Sequence, residues 1–219
     1  MMYFKFLNNT DNDIIGHYPQ TKLGDEYNPS LPNSHWNLKR NEFAKFDLNY
    51  QLEINNKAKP TSFLDGASSP SGLIVSEKLK SFLNDFNLPP HKFYKIKVKH
   101  KNNFINYYLL QIITFGIWDY IDVEKSTLKI SNSINSHNFV TTPVISKLYV
   151  EKLNKYYLKD FNQNLSPNEI YFKDSFPLYD IISIDSLVEE MMFSSRLKKS
   201  LENNNLSDGS EFKILRYLK

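Results

Sequence analysis

The chain lacks cysteine altogether, has no long apolar run and carries a formal net charge of only +3 over 219 residues. Without cysteine it can form no disulfide, no thiolate nucleophile and no cysteine-ligated zinc site. Its longest apolar run, near Tyr107–Ile113, is interrupted by Gln111 and is far too short to span a bilayer. The first residues also lack the apolar stretch and cleavage site of a secretory signal. We therefore expect a cytoplasmic protein that does not enter a membrane.

Motifs that position catalytic groups are also missing. The sequence contains no P-loop, no G-x-G-x-x-G and no G-x-S-x-G, so nucleotide binding and serine-hydrolase chemistry have no support. No H-E-x-x-H pattern occurs among the five histidines, which are His17, His35, His91, His100 and His137. We expect a protein that is not an enzyme and needs no metal and no cofactor. An enzyme with a dispersed site is the alternative, and clustered groups with shifted pKa values would reveal it.

Large apolar and aromatic side chains, in contrast, are abundant. Hydrophobic residues make up 41% of the chain and aromatic residues 15%, which is enough to bury a core and offset the entropy of ordering. A predicted first strand, Met2–Leu7, is followed by a proline- and asparagine-rich stretch to about Gly72. Its interspersed rings predict an irregular segment that wraps a core and includes short strands such as Tyr50–Ile54.

A helix is predicted after this stretch. Leu73–Val75 is a short extended piece, Ser76 is a good N-cap, and Glu77 lies in the first turn, where the helix dipole favours an acid. Apolar residues then recur at helical spacing. The helix should end by Leu88, because the Pro89–Pro90 pair that follows cannot continue it.

A β-hairpin is predicted next. Apolar and lysine residues alternate strictly in Tyr94–Lys99, which indicates a strand with one buried and one solvated face. Lys101–Asn103 is a plausible turn, and Phe104–Thr114 is apolar on both faces, as expected of a central strand.

The strand, helix and strand unit occurs twice. The ranges Leu73–Leu88 and Met191–Leu206 align without a gap, and Phe93 matches Phe212 after a one-residue insertion. Identical residues in the two copies include the pairs Ser76 and Ser194, Leu79 and Leu197, Lys80 and Lys198, Leu83 and Leu201, Asn87 and Asn205, and Leu88 and Leu206. An internal repeat is favoured, although a single longer helix over Ser186–Leu201 also fits the second copy.

Further elements complete an α+β fold, with a mainly antiparallel sheet, helices from the two repeat units and long aromatic-rich N-terminal loops. Leu148–Phe161 is predicted to be a helix. The predicted additional strands are Ile117–Val123, Ser126–Ile130, Glu169–Lys173 and Asp180–Ile184. We expect one globular unit over 1–219, with a possible division into an N-terminal wrap (1–72), a first helix-hairpin unit (73–130) and a C-terminal half (131–219).

Two groups of residues are candidates for binding. Trp118, Asp119, Tyr120 and Asp122 combine carboxylates with the large rings that interfaces favour, and Trp36 is a further candidate anchor. A solvated turn is the plainer interpretation, since Asp119 and Asp122 would point to opposite faces of a strand.

The lysine-rich strand is the second group. Lys95, Lys97, Lys99 and Lys101 would point to one side and form an alternative face for nucleic acid. No aromatic residue interleaves with them along the strand, as stacking on a single strand of nucleic acid would require. A solvated face that discourages edge-to-edge aggregation explains the same pattern.

Several of these segments resemble a family of bacterial immunity proteins that accompany polymorphic contact-dependent toxins. Its type member is myxobacterial, and the group was formerly a domain of unknown function. The similar segments are Leu73–Lys80, Phe93–Tyr94, Asn106–Leu110, Tyr120–Ser126 and, in the C-terminal helix, Phe193–Lys198.

The resemblance covers Gly72–Ser126 best and leaves roughly the first seventy residues without a matching motif. It implies a cytoplasmic protein that binds and neutralises a toxin, and it supplies no catalytic residue. It names neither the toxin nor the oligomeric state.

Overall fold

The computed structural model describes residues 2–65, 72–132, 139–161, 163–216 and 218. The α-helices are α1 (Asn12–Ile15), α2 (Glu77–Leu83), α3 (Lys147–Phe161) and α4 (Ser195–Asn203). The strands are β1 (Tyr3–Asn8), β2 (Thr21–Leu23), β3 (Gln51–Ile54), β4 (Phe63–Leu64), β5 (Gly72–Ser76), β6 (His91–His100), β7 (Asn103–Ile112), β8 (Thr127–Asn132), β9 (Phe139–Pro143), β10 (Gln163–Glu169), β11 (Ile181–Ile184), β12 (Val188–Ser194) and β13 (Ser210–Ile214). Within these ranges, no helix is both long and apolar enough to cross a membrane.

These strands form three sheets, and nearly all of their pairings are antiparallel. Together with the four helices they confirm the predicted α+β class. The chain divides into two compact units. Unit 1 contains the described residues of Met1–Lys5, Thr114–Ser195 and Ile214–Lys219, and unit 2 contains those of Phe6–Ile113 and Arg196–Lys213.

The predicted hairpin forms the centre of unit 2. Strands β6 and β7 pair along their whole length, from His91 opposite Ile112 to His100 opposite Asn103. The turn begins at Lys101, whose φ of 55° lies in the left-handed region. These two strands lie in a six-stranded sheet of order β2-β3-β6-β7-β5-β4, in which only β3 and β6 run parallel.

One face of this sheet is the core of unit 2. Tyr94, Ile96 and Val98 alternate along β6 with the exposed lysines and are buried in that core. On the opposite face, α2 covers the β5 and β7 side of the sheet, where Lys80 Nζ lies 4.1 Å from the centroid of the Tyr108 ring. The sheet is therefore enclosed on one side and only partly covered on the other.

The first repeat unit has its predicted N-cap. The Ser76 hydroxyl accepts a hydrogen bond from the Leu79 amide at 3.3 Å, and α2 buries Leu79 and Leu83. The same order of strand, helix and strand recurs in β12, α4 and β13. The alternative of one long helix over Ser186–Leu201 is wrong, because Val188–Ser194 is extended and pairs with two strands.

The N-terminal segment is less irregular than its sequence indicates. It contains α1, β2, β3 and β4, of which only β3 lies close to a predicted strand. Tyr27, Tyr50 and Phe63 are buried, whereas Tyr18 and Trp36 are about half exposed, at 50% and 47%. Some of its rings therefore anchor the segment and others face solvent.

Unit 1 is built from two sets of strands. β12 pairs with β11 on one side and with residues 3–5 of β1 on the other, while β8 lies between β10 and β9. Helix α3 packs against β10. The predicted helix Leu148–Phe161 and the predicted strands Ser126–Ile130 and Asp180–Ile184 are confirmed with small shifts at their ends.

Two predicted strands of unit 1 are wrong. Ile117–Tyr120 forms a 3₁₀ helix that follows Gly116, whose φ is 98°. The buried residues Ile117 and Ile121 are four residues apart, which satisfies the two-residue period of a strand, although Ile117 begins the 3₁₀ helix and Ile121 follows its end. Of the predicted strand Glu169–Lys173, Glu169 is the last residue of β10, and Ile170 and Phe172 make isolated bridges.

Candidate functional site

Trp118 is tied into unit 1. It follows Ile117 in the 3₁₀ helix, and its partly buried ring packs against the core cluster that contains Ile121 and Ile182. Its indole Nε1 donates a hydrogen bond of 2.8 Å to the main-chain oxygen of Asp185. A tryptophan held in this way positions the backbone between residues 116 and 121.

The neighbouring candidates differ in exposure. The Tyr120 ring contacts Phe176 edge-on, with centroids 5.8 Å apart, and packs against the same core. Asp122 forms an ion pair of 2.9 Å with Lys125, and this hydrogen bond holds the pKa of the Asp122 carboxyl below its usual range. The Asp119 side chain is exposed. Its main-chain amide donates a hydrogen bond of 3.1 Å to the Gly116 oxygen, and its main-chain oxygen accepts one of 2.8 Å from the ammonium of Lys173.

Trp36 lies in unit 2 on a supported turn. It belongs to the 3₁₀ helix His35–Asn37, and its ring centroid is 4.7 Å from that of His35. The buried His35 ring stacks on Tyr50 at 4.0 Å, and its Nδ1 shares a hydrogen bond with the Tyr27 hydroxyl. Burial raises the pKa of Tyr27 above its usual range. Trp36 is therefore an exposed ring beside a packed aromatic cluster.

Three of the four lysines of the predicted face lie on one side of β6, in unit 2. Lys95, Lys97 and Lys99 are exposed on one side of β6, and Lys101 is exposed in the turn that follows. Side chains two residues apart on a strand are separated by roughly 7 Å, so the three strand lysines form an evenly spaced row. We call the exposed surface formed by Lys95, Lys97, Lys99, Phe104 and Asn106 the lysine face.

Neighbouring strands supply the rest of this surface. Phe104 is directly opposite Lys99 in the hairpin register and is 73% exposed, and Asn106 is directly opposite Lys97. Directly paired residues in an antiparallel ladder have side chains on the same face. Within β6, Phe93 lies on the same side as the lysines but precedes them, so no aromatic residue lies between them, whereas pairing across the hairpin brings Phe104 beside Lys99. Matching residues on the two sides of the predicted turn Lys101–Asn103 would have placed Phe104 beside the lysines.

The carboxylates on this side of the sheet already have partners. Glu53 is opposite Lys99 in the parallel register of β3 and β6, but its ion pair of 3.1 Å is with Lys22. Glu77 accepts hydrogen bonds of 3.1 Å from Asn106 Nδ2 and from the Tyr108 hydroxyl. Among the residues that the structure describes, no carboxylate lies within ion-pair distance of the three strand lysines.

A cleft adjoins the outer strands of the same sheet. Its volume is about 410 Å³, and Lys22, Glu53 and Lys57 contribute charged groups to its lining. The cleft is open, and its walls belong to β2, β3 and the turn after β3.

One exposed ring of unit 1 was missed in the sequence. Phe115 is 67% exposed, and the Lys147 ammonium lies 5.8 Å from its ring centroid while forming a 3.3 Å ion pair with Asp185. Its position just before Gly116, at the end of an apolar run, is the signal that could have identified it as a residue at a turn.

The histidines and acids form no recognisable metal centre in the part of the chain that the structure describes. No group of three or more histidine, aspartate or glutamate side chains is placed to hold an ion there. His35 is fully buried in the aromatic cluster, and His91 Nδ1 lies 2.9 Å from the Pro89 main-chain oxygen. His137 lies outside the described residues.

Comparison with known proteins gives one positive result. The model of a family described as an immunity protein family (Imm11) matches residues 2–212. The match extends over the N-terminal segment, for which the sequence showed no family motif. A search of curated proteins finds no significant match.

Proposed function

This chain belongs to the Imm11 family of immunity proteins, and we propose that it binds one cognate protein toxin in the cytoplasm and neutralises it. The observation that carries this proposal is the family match, which spans nearly the whole chain. Proteins of such a family are typically not enzymes. Neutralisation then rests on binding alone, which blocks either the active site of the toxin or its access to a target.

The described surface offers what such binding needs. Protein partners are recognised by preformed surfaces in which a few aromatic or charged side chains supply most of the binding energy. Of the residues considered as anchors, Asp119 and Trp36 have side chains exposed enough to contact a partner. Trp118, Tyr120 and Asp122 make internal contacts that fix the shape of the segment that carries Asp119.

Coexpression tests the proposal directly. The candidate toxin is the product of the gene next to the one that encodes this chain, and it is expressed in a host that lacks both genes, with and without the present chain. We expect the toxin alone to arrest growth and coexpression to restore it, with a stable complex recovered on size-exclusion chromatography. Growth arrest that persists despite abundant, folded chain would contradict the proposal.

A nucleic-acid-associated protein is the second candidate, and the lysine face is the observation that favours it. The lysine row and Phe104 offer cations and one ring for stacking. The net charge of +3 is small, however, and tight binding to nucleic acid needs a concentrated basic surface. Retention on heparin or DNA that falls steeply with salt would support this candidate, and indifference to both would remove it.

A further inference from the structure

We infer that the toxin docks on the lysine face and presents an acidic surface to it, an inference that rests on the proposed function. The lysine face is the part of the six-stranded sheet that α2 leaves uncovered on the side opposite the core. The backbone beneath it is well supported, because its side chains project from the two longest strands of the sheet, which are hydrogen-bonded along their whole length.

The charge on this surface is not balanced within the described chain. Three like charges follow one another along β6, and neighbouring lysines repel each other modestly across the roughly 7 Å between them. The two nearby carboxylates do not relieve this repulsion, since Glu53 pairs with Lys22 and Glu77 bonds to Asn106 and Tyr108. Carboxylates from a partner would therefore meet cations that have no competing partner to give up.

The geometry narrows the kind of acidic surface. Lysines at alternate positions of a strand recur at roughly 7 Å, so they match acidic side chains at alternate positions of an extended segment. At one end of the row, the exposed Phe104 ring offers an apolar contact beside Lys99. We expect the toxin to contribute an extended acidic segment, with a large apolar side chain at the end that meets Phe104.

Two features favour a protein partner over nucleic acid. Glu53 and Glu77 lie on the same side of the sheet, where they would repel a phosphate backbone. Among the described residues, Phe104 is the one well-exposed ring beside the lysines and Phe93 is partly buried, whereas single strands stack successive bases on several rings. A protein surface can place its carboxylates over the lysines and avoid the two glutamates.

Charge reversal on matched sites tests the inference. One variant carries Lys95→Glu, Lys97→Glu and Lys99→Glu. The control carries Lys152→Glu, Lys155→Glu and Lys199→Glu, which are exposed lysines on α3 and α4, and it changes the net charge by the same amount. The probe is an inactivated variant of the same neighbouring-gene product that the coexpression test uses, and its Kd is measured by calorimetry at low and moderate salt.

We expect the lysine-face variant to bind on the order of 100-fold more weakly than the wild type, and the control to stay within about threefold. Phe104→Ala should weaken binding roughly tenfold without changing the salt dependence. Circular dichroism spectra and thermal midpoints show whether each variant is folded. A triple alanine variant at the same lysines repeats the test if charge reversal prevents folding.

The outcomes separate the two proposals. If the wild type binds the toxin and the lysine-face variant binds equally well, the docking surface lies elsewhere and the proposed function stands. If the wild type does not bind the toxin at all, the proposed function itself fails. If a 20-nucleotide single strand of DNA binds the wild type tightly and the lysine-face variant loses only that binding, the surface serves nucleic acid and the inference is overturned.

Discussion

The Trp118–Asp122 segment of unit 1 and the lysine face of unit 2 both contain residue types common at protein interfaces, yet they differ in what their polar atoms contact. In the first, the Trp118 indole donates to Asp185 and the Asp122 carboxylate pairs with Lys125. In the second, the lysines of β6 have no ion-pair partner among the described residues, and Phe104 is 73% exposed.

Composition alone does not distinguish an interface from an internal support. A tryptophan or an aspartate whose polar atoms are already satisfied within the chain gives up those contacts if it is to bind a partner, which reduces the net gain. An exposed charge without an internal partner gives up only its contacts with water when it binds a partner. The comparison therefore predicts that changes in unit 1 reduce stability, while changes on the lysine face reduce binding.

The largest expected effect is at Trp118. Trp118→Ala removes a large ring from the core cluster and the hydrogen bond to Asp185, and we expect it to lower the free energy of unfolding by about 3 kcal/mol. Trp36→Ala, at the other tryptophan, should cost less than about 1 kcal/mol because that ring is nearly half exposed. Urea denaturation followed by far-ultraviolet circular dichroism measures both. Equal losses would remove the distinction between the supporting and the exposed tryptophan.

The next effect concerns binding. Lys97→Ala removes the central cation of the row, and we expect roughly tenfold weaker toxin binding, which is about 1.4 kcal/mol. Its free energy of unfolding should change by less than about 0.5 kcal/mol, since an exposed lysine without a partner adds little stability. A stability loss as large as that of Trp118→Ala would show that Lys97 supports the fold.

Substitution of Ser76 tests whether stability can be changed without changing toxin binding within the six-stranded sheet. Ser76→Ala removes the N-cap of α2, and we expect it to lower the free energy of unfolding by about 1 kcal/mol. Toxin affinity should stay unchanged, because Ser76 lies outside the lysine face. Ser76→Thr retains a capping hydroxyl and should recover most of the stability, which denaturation midpoints of the three proteins will show.

The smallest effect depends on pH. Because the pKa of Asp122 is lowered in the folded chain, its contribution to stability is present above the unfolded value of about 3.9 and is lost as pH falls through the folded value. Asp122→Asn should therefore be slightly less stable than the wild type at neutral pH, and the difference should vanish toward pH 2. It should also shrink at 1 M salt, which screens the ion pair with Lys125. A difference that grows on acidification would contradict the assigned direction.

The sequence predicts best the elements with long and unambiguous periodicity. The alternation in Tyr94–Lys99 predicts a half-buried strand, and Leu148–Phe161 is found as a helix. The strands Thr21–Leu23 and Phe63–Leu64 are too short to show a two-residue hydrophobic period, so the sequence did not predict them. The predicted strand Ile117–Val123 is wrong for a different reason, because its buried isoleucines keep the two-residue period of a strand although the segment turns after Gly116.

For the candidate site, features within one strand could be predicted from the sequence, and features that depend on pairing between distant residues could not. The lysine row lies within one strand, and its common orientation follows from sequence spacing. The exposure of Phe104 beside it depends on pairing across the hairpin, and the pairing of Glu53 with Lys22 depends on two strands that the sequence barely marks. The internal bond from Trp118 to Asp185 joins residues 67 positions apart, which no local pattern can reveal.

Lysine footprinting tests the central claim most directly. The free chain and its complex with the inactive toxin domain are acetylated briefly, and the extent of modification at each lysine is measured by mass spectrometry. We predict strong protection of Lys95, Lys97 and Lys99 in the complex, with Lys152 and Lys155 modified equally in both samples. Equal modification of the β6 lysines in the free chain and in the complex would contradict the claim.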